Sequence, residues 1–145
     1  LQKFTEQRNS KVPIMPGFMK ITLYTSVFAI VTILFFVLTG RPLFSFLFGQ
    51  QWAVAGDYAA ILAPAFMIQF VVSPVSTVII ALEKVRIAAV WQTAYFLGIL
   101  GLSFFRHLPE SDFFLVFTII NLVFYVIYWF ILFIVILGYE RRRAG

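Results

Sequence analysis

Seven side chains carry hydrogen-bonding groups at spacings that bring them together: Gln69, Ser73 and Ser76 in one apolar run, and Thr118, Asn121, Tyr125 and Tyr128 in another. At 100° per residue the first three share a helical stripe with Tyr58, Leu62, Ala65 and Ile80, and the other four form a stripe of their own. Their chemistry is the giving and taking of hydrogen bonds, because none of these groups titrates near neutrality. A serine-histidine-acid set, a metal-ligand cluster, a phosphate loop or paired carboxylates cannot be assembled, since all six acids lie outside the apolar runs. No catalytic residue, metal or cofactor is therefore expected, and the chain does not read as an enzyme. His107, the one histidine, sits beside Pro109 in the polar loop 106–112 and reads as a solvated residue.

The run that positions Gln69, Ser73 and Ser76 is residues 58–82, 25 positions without a charge. At ~1.5 Å per residue it is long enough to cross the ~30 Å hydrocarbon core of a bilayer. Pro64 and Pro74 lie within it and lack an N–H, so the carbonyls of Ala60 and Phe70 lose their helical partners and the helix is expected to bend there. In lipid such groups must be satisfied by neighbouring helices, hydroxyls or water, which places this segment inside a bundle or beside a wet cavity. Gln69, Ser73, Ser76, Asn121, Tyr125 and Tyr128 are the candidate lining of that cavity, and Pro64 and Pro74 the candidate bending points.

Only 12% of the 145 residues are charged, against ~25% in soluble domains, and 62% are apolar. The class is thus an all-α membrane protein with crossings near 21–40, 58–82, 87–105 and 113–137, joined by short loops. With no cysteine there is neither a disulfide framework nor a thiolate site. The net charge of +5 does not point to nucleic acid, because the basic residues fall at helix ends and not on a polar face interleaved with stacking aromatics. The first twenty residues lack the apolar core and cleavage site of a signal peptide, and the chain starts on Leu1, so it reads as the C-terminal part of a longer protein.

Residues 1–20 read as a connector broken by Pro13 and the Pro16-Gly17 pair. Thr22, Thr25, Ser26, Ala29 and Thr32 give the first crossing a small-residue flank suited to close packing. Gly40-Arg41-Pro42 is expected to end that crossing, and 43–56, with Phe44, Phe46, Phe48 and Trp52, to lie along the membrane surface. Ala55, Ala59 and Ala63, with Gly56 and Ala60 beside them, offer a neighbouring helix close approach. Residues 83–86 form a turn so tight that the second and third crossings must be antiparallel. On the third crossing Trp91 reads as a membrane-interface anchor, and Gln92 and Tyr95 share a face. The tail is residues 140–145. With both ends cytoplasmic, nine of the eleven basic residues lie inside and only Arg41 and Arg106 outside, which is the orientation the positive-inside rule selects.

Leu47-Phe48-Gly49-Gln50-Gln51-Trp52, then Ala55-Gly56, Leu62-Ala63-Pro64 and Ser73-Pro74-Val75-Ser76 resemble the polysaccharide-exporting flippases of the multidrug/oligosaccharidyl-lipid/polysaccharide exporter superfamily. The likeness is clearest over residues 42–84. It implies a two-lobe bundle of about twelve or more helices of which these would be the last four. It also implies a lipid-linked oligosaccharide moved across the cytoplasmic membrane of a bacterium by alternating access, with the N-terminal helical half and a glycan polymerase or export machinery as partners. Related sequences often carry arginine before the serine-proline block where this chain has Gln69, so contact with a pyrophosphate is expected elsewhere. Two other readings stay open: a drug or metabolite antiporter of the same superfamily, and a membrane-bound glycan polymerase or non-transporting assembly subunit.

Overall fold

The structure, a computed structural model, describes residues 13–144; the greater part of the 1–20 connector lies outside them. Four long helices follow one another: α1 Met15–Phe48, α2 Ala53–Ala81, α3 Val85–Gly101 and α4 Glu110–Ala144, with short 3-10 turns at Gln50–Trp52 and Leu102–Phe105. All four crossings are long and apolar enough to span a membrane, α3 together with the turn that follows it, and no strand occurs among the described residues.

α2 is the central element, packed along α1 on one side and α4 on the other, while α3 leans on the α2–α4 pair. Burying hydrocarbon gives helices little reason to associate in lipid, so small residues and hydrogen bonds must hold these seams. Gly40 of α1 and Gly56 of α2 bring two backbones into contact: a Cβ on Gly40 would stand 2.6 Å from the Gly56 carbonyl oxygen, and one on Gly56 2.8 Å from the Arg41 Cα. Next to this crossing Arg41 Nη1 donates to Asp57 Oδ2 at 2.5 Å. Gly98 gives α3 the same kind of room, since a Cβ there would meet the Phe124 ring of α4 at 2.6 Å. At the opposite end Phe18, Val72, Val75, Ile79, Leu132 and Ile136 form a buried cluster drawn from α1, α2 and α4.

Several boundaries differ from those expected. α1 starts at Met15, within the expected connector, because Pro16 falls in the first turn, where its missing N–H has no partner to lose. It also runs through Pro42 to Phe48, and α2 starts at Ala53, so 43–56 is not a separate surface segment. One unmade bond does not end a helix whose later turns are intact, and the Ser45 hydroxyl donates to the Arg41 carbonyl just beyond the proline at 3.0 Å. The break comes at Gly49, whose φ of 98° is open to glycine but not to residues with a side chain. After α2 the chain turns in three residues through Glu83, at φ 58°, where Glu83 N–H donates to the Ile80 carbonyl and Lys84 N–H to that of Ile79. Those two bonds satisfy the last carbonyls of α2 and let α3 reverse direction at once.

The tail too has a structural task. Glu140 Oε1 accepts from the backbone N–H of Ile14 at 2.7 Å and of Met15 at 2.9 Å, capping α1 from the far end of the sequence. A carboxylate at a helix N-terminus satisfies orphan donors and complements the helix dipole.

Gly56→Ala is expected to force α1 off α2 and lower stability by about 1–3 kcal/mol. Thermal unfolding of the purified protein in detergent should show it, with Gly138→Ala no less stable, because a Cβ there meets nothing within 4 Å and alanine suits a helix better than glycine.

Candidate functional site

Asn121 is fully buried in the middle of α4, where an amide without partners would cost several kcal/mol. Its Oδ1 accepts from Gln69 Nε2 of α2 at 2.7 Å and from the Tyr95 hydroxyl of α3 at 2.9 Å, and its Nδ2 donates to the Phe117 carbonyl at 2.9 Å. One side chain thereby joins three helices. This corrects its expected place in a cavity lining: Asn121 lies behind the wall and fixes it. One turn away, the Thr118 hydroxyl donates to the Ile61 carbonyl at 2.9 Å, next to the Ala60 carbonyl that Pro64 leaves without a helical partner. α2 is helical across both Pro64 and Pro74. Around the second, the Ser76 hydroxyl donates to the Ser73 carbonyl at 2.7 Å and the Thr77 hydroxyl to the Pro74 carbonyl at 2.9 Å. These hydroxyls bond carbonyls beyond that of Phe70, the one that Pro74 frees, and such back-bonding favours a bend in the helix.

In front of this network α2, α3 and α4 form an open-sided cavity of about 570 Å3. Gln69, Ser73, Ser76, Tyr125 and Tyr128 all line it, joined by Trp91 and Gln92 of α3. Its walls bring amide, hydroxyl and phenol groups together with aromatic faces, and no acid or base stands among the lining residues. That surface can hydrogen-bond a neutral polar molecule, sugar hydroxyls included, and can stack against the apolar face of a ring.

The burial of Trp91 is what its place in the sequence did not show. It is stacked on Tyr128 with centroids 4.0 Å apart and on Tyr95 at 5.4 Å, with its Nε1–H donating to the Phe124 carbonyl at 3.3 Å. Tyr125 closes the cluster edge-on at 5.2 Å. The tyrosines of the α4 stripe are thus packed against a tryptophan from α3. Tyr95 is absent from the lining and acts through Asn121.

A second recess adjoins the first. Between α1 and α2 an apolar groove of about 420 Å3 is lined by Thr32, Phe36, Ala59, Leu62 and Ala63, among others, and it shares Phe66 and Met67 with the polar cavity. Ala55, Ala59 and Ala63, the small residues expected to admit a neighbouring helix, form part of this groove. The close approach itself is made by Gly56. Among the described residues no cluster of acids and histidine is placed to hold a metal.

Asn121→Leu is expected to destabilise the protein by about 1–3 kcal/mol, because it takes the shared acceptor from both Gln69 and Tyr95, and Gln69→Leu by less, because Asn121 Oδ1 keeps the Tyr95 hydroxyl. The double variant should lose less than the sum, with a coupling of about 0.5–2 kcal/mol in a denaturation cycle. The chain matches no protein-family model, and neither curated proteins nor solved structures gave a match.

Proposed function

We propose that this chain forms one wall of a membrane transporter for an amphiphile, a lipid-linked oligosaccharide, and that it belongs to a two-lobe exporter whose other helices close the pathway. The observation that carries this reading is the pairing of recesses: a polar cavity and an apolar groove that meet at Phe66 and Met67. A sugar head group cannot cross hydrocarbon bare, since each unpaired hydroxyl costs several kcal/mol, whereas its hydrocarbon tail gains nothing from a polar chamber. A head group bonded to Gln69, Ser73 and Gln92, with its tail laid along Leu62 and Ala63, meets both requirements in one molecule. The resemblance of residues 42–84 to polysaccharide flippases points the same way. Pro64 and Pro74 would then mark where α2 flexes between inward- and outward-open forms.

The orientation that goes with this proposal puts both ends of the chain in the cytoplasm of a bacterium. α1 and α3 support an assembly larger than four helices: most of their apolar side chains, Leu38 and Val90 among them, are uncovered and available to lipid or to further helices.

In cells that depend on the intact protein for glycan export, Ser73→Phe should fill the polar cavity and Ala63→Phe the groove. Each should lower export about tenfold or more, the effect of ~1.4 kcal/mol on a barrier. Phe104→Leu, in the exposed turn between α3 and α4, should leave it unchanged. Undiminished export by Ser73→Phe at normal membrane levels would remove the cavity from the pathway. Pro74→Ala tests the flexing of α2 in the same assay, and full export there would exclude Pro74 from the mechanism.

A further inference from the structure

The end of the bundle where α2 turns into α3 carries a recess with a different character. Lys84 in that turn and Arg142 near the end of α4 line a groove of about 370 Å3 whose other walls include Leu82, Ile87, Ile134 and Val135. Both cations are exposed, and neither is ion-paired to another described residue. Beside them Gly138 leaves α4 without a side chain, and a Cβ there would meet nothing within 4 Å. From Arg142 to Ile134 the groove follows α4 for eight residues, about 12 Å at 1.5 Å per residue, a depth close to that of one leaflet's ~15 Å of hydrocarbon.

The charge around it is one-sided. Lys20, Lys84, Arg86, Arg141 and Arg142 crowd this end against Glu83 and Glu140, and Glu140 is engaged in capping α1. At the other end Arg41 and Arg106 face Asp57, Glu110 and Asp112. Two cations at the head of an apolar groove complement an anion that carries a hydrocarbon chain. A guanidinium offers forked donors to phosphate oxygens and an ammonium a point charge.

We propose that this groove binds one anionic glycerophospholipid, its phosphate between Lys84 and Arg142 and an acyl chain along Ile87, Ile134 and Val135. The site is separate from the polar cavity, shares no residue with it, and does not depend on what the protein transports.

Native mass spectrometry of the intact protein released from dodecylmaltoside micelles tests this with phosphatidylglycerol, phosphatidylcholine and inorganic phosphate in parallel. Phosphatidylglycerol should stay bound as a one-to-one adduct, and the other two should not. Lys84→Gln with Arg142→Gln should weaken binding about thirtyfold, the effect of ~1 kcal/mol for each basic residue at a lipid surface. Arg86→Gln with Arg141→Gln removes the same charge beside the groove and should change binding little. Gly138→Leu should displace the lipid by filling the space while the charge stays constant. The proposal is overturned if phosphatidylcholine is retained equally, if inorganic phosphate alone forms the adduct, if the two charge pairs weaken binding alike, or if Gly138→Leu leaves binding intact.

Discussion

An amide shut away from water in the middle of a membrane-spanning helix has to find its partners in protein, and Asn121 finds them on three helices. The depth of the cavity follows from that requirement. Gln69 is drawn to Asn121 from α2 and Tyr95 from α3, so the three helices meet behind the network and stand apart in front of it. A leucine at 121 would let the same helices pack in several registers, because lipid-exposed and helix-exposed hydrocarbon differ little in free energy. The polar contact supplies the registry that hydrophobic burial supplies in a soluble core.

The two ends of the bundle are closed by different means. At one, glycine against glycine brings α1 and α2 to backbone contact, with Arg41 and Asp57 paired beside it. At the other, Glu140 caps α1, and Phe18 of α1 lies 5.6 Å from the Trp129 ring of α4, whose Nε1–H donates to the Thr22 hydroxyl at 3.3 Å. α1 and α4 otherwise touch little, so these contacts near the basic end tie the first helix to the last.

Much of the fold was legible because a membrane helix announces itself by length: four uncharged runs became four helices. The polar stripes were legible for a related reason, since helical periodicity fixes which residues share a face. What periodicity cannot supply is what that face meets. Asn121 and Tyr125 fall on one stripe, yet one is sealed against Gln69 and the other borders open space. Trp91 shows the same gap. Its distance from Arg86 gives depth, while its burial depends on Tyr125 and Tyr128, more than thirty residues away on α4. Pro42 was read as a stop because proline loses one bond, but the stop belongs to Gly49, where the backbone adopts a φ only glycine tolerates. The polar Gln50-Gln51 pair directly after it was the available signal. Glu140, a single acid before three arginines, falls in the expected tail 140–145, and its role as a cap for α1 rests on a contact that no local pattern encodes.

The central claim is that the polar face of α2 borders a chamber open to water and shielded from acyl chains by protein. The chain has no native cysteine, so single cysteines can be placed at will. In an otherwise cysteine-free intact protein, Ser73→Cys and Gln92→Cys should react with a charged, membrane-impermeant maleimide from one aqueous side, and Val90→Cys, on the uncovered face of α3, only with a lipid-soluble reagent. Labelling of positions 73 and 92 by the lipid-soluble reagent alone would contradict the account.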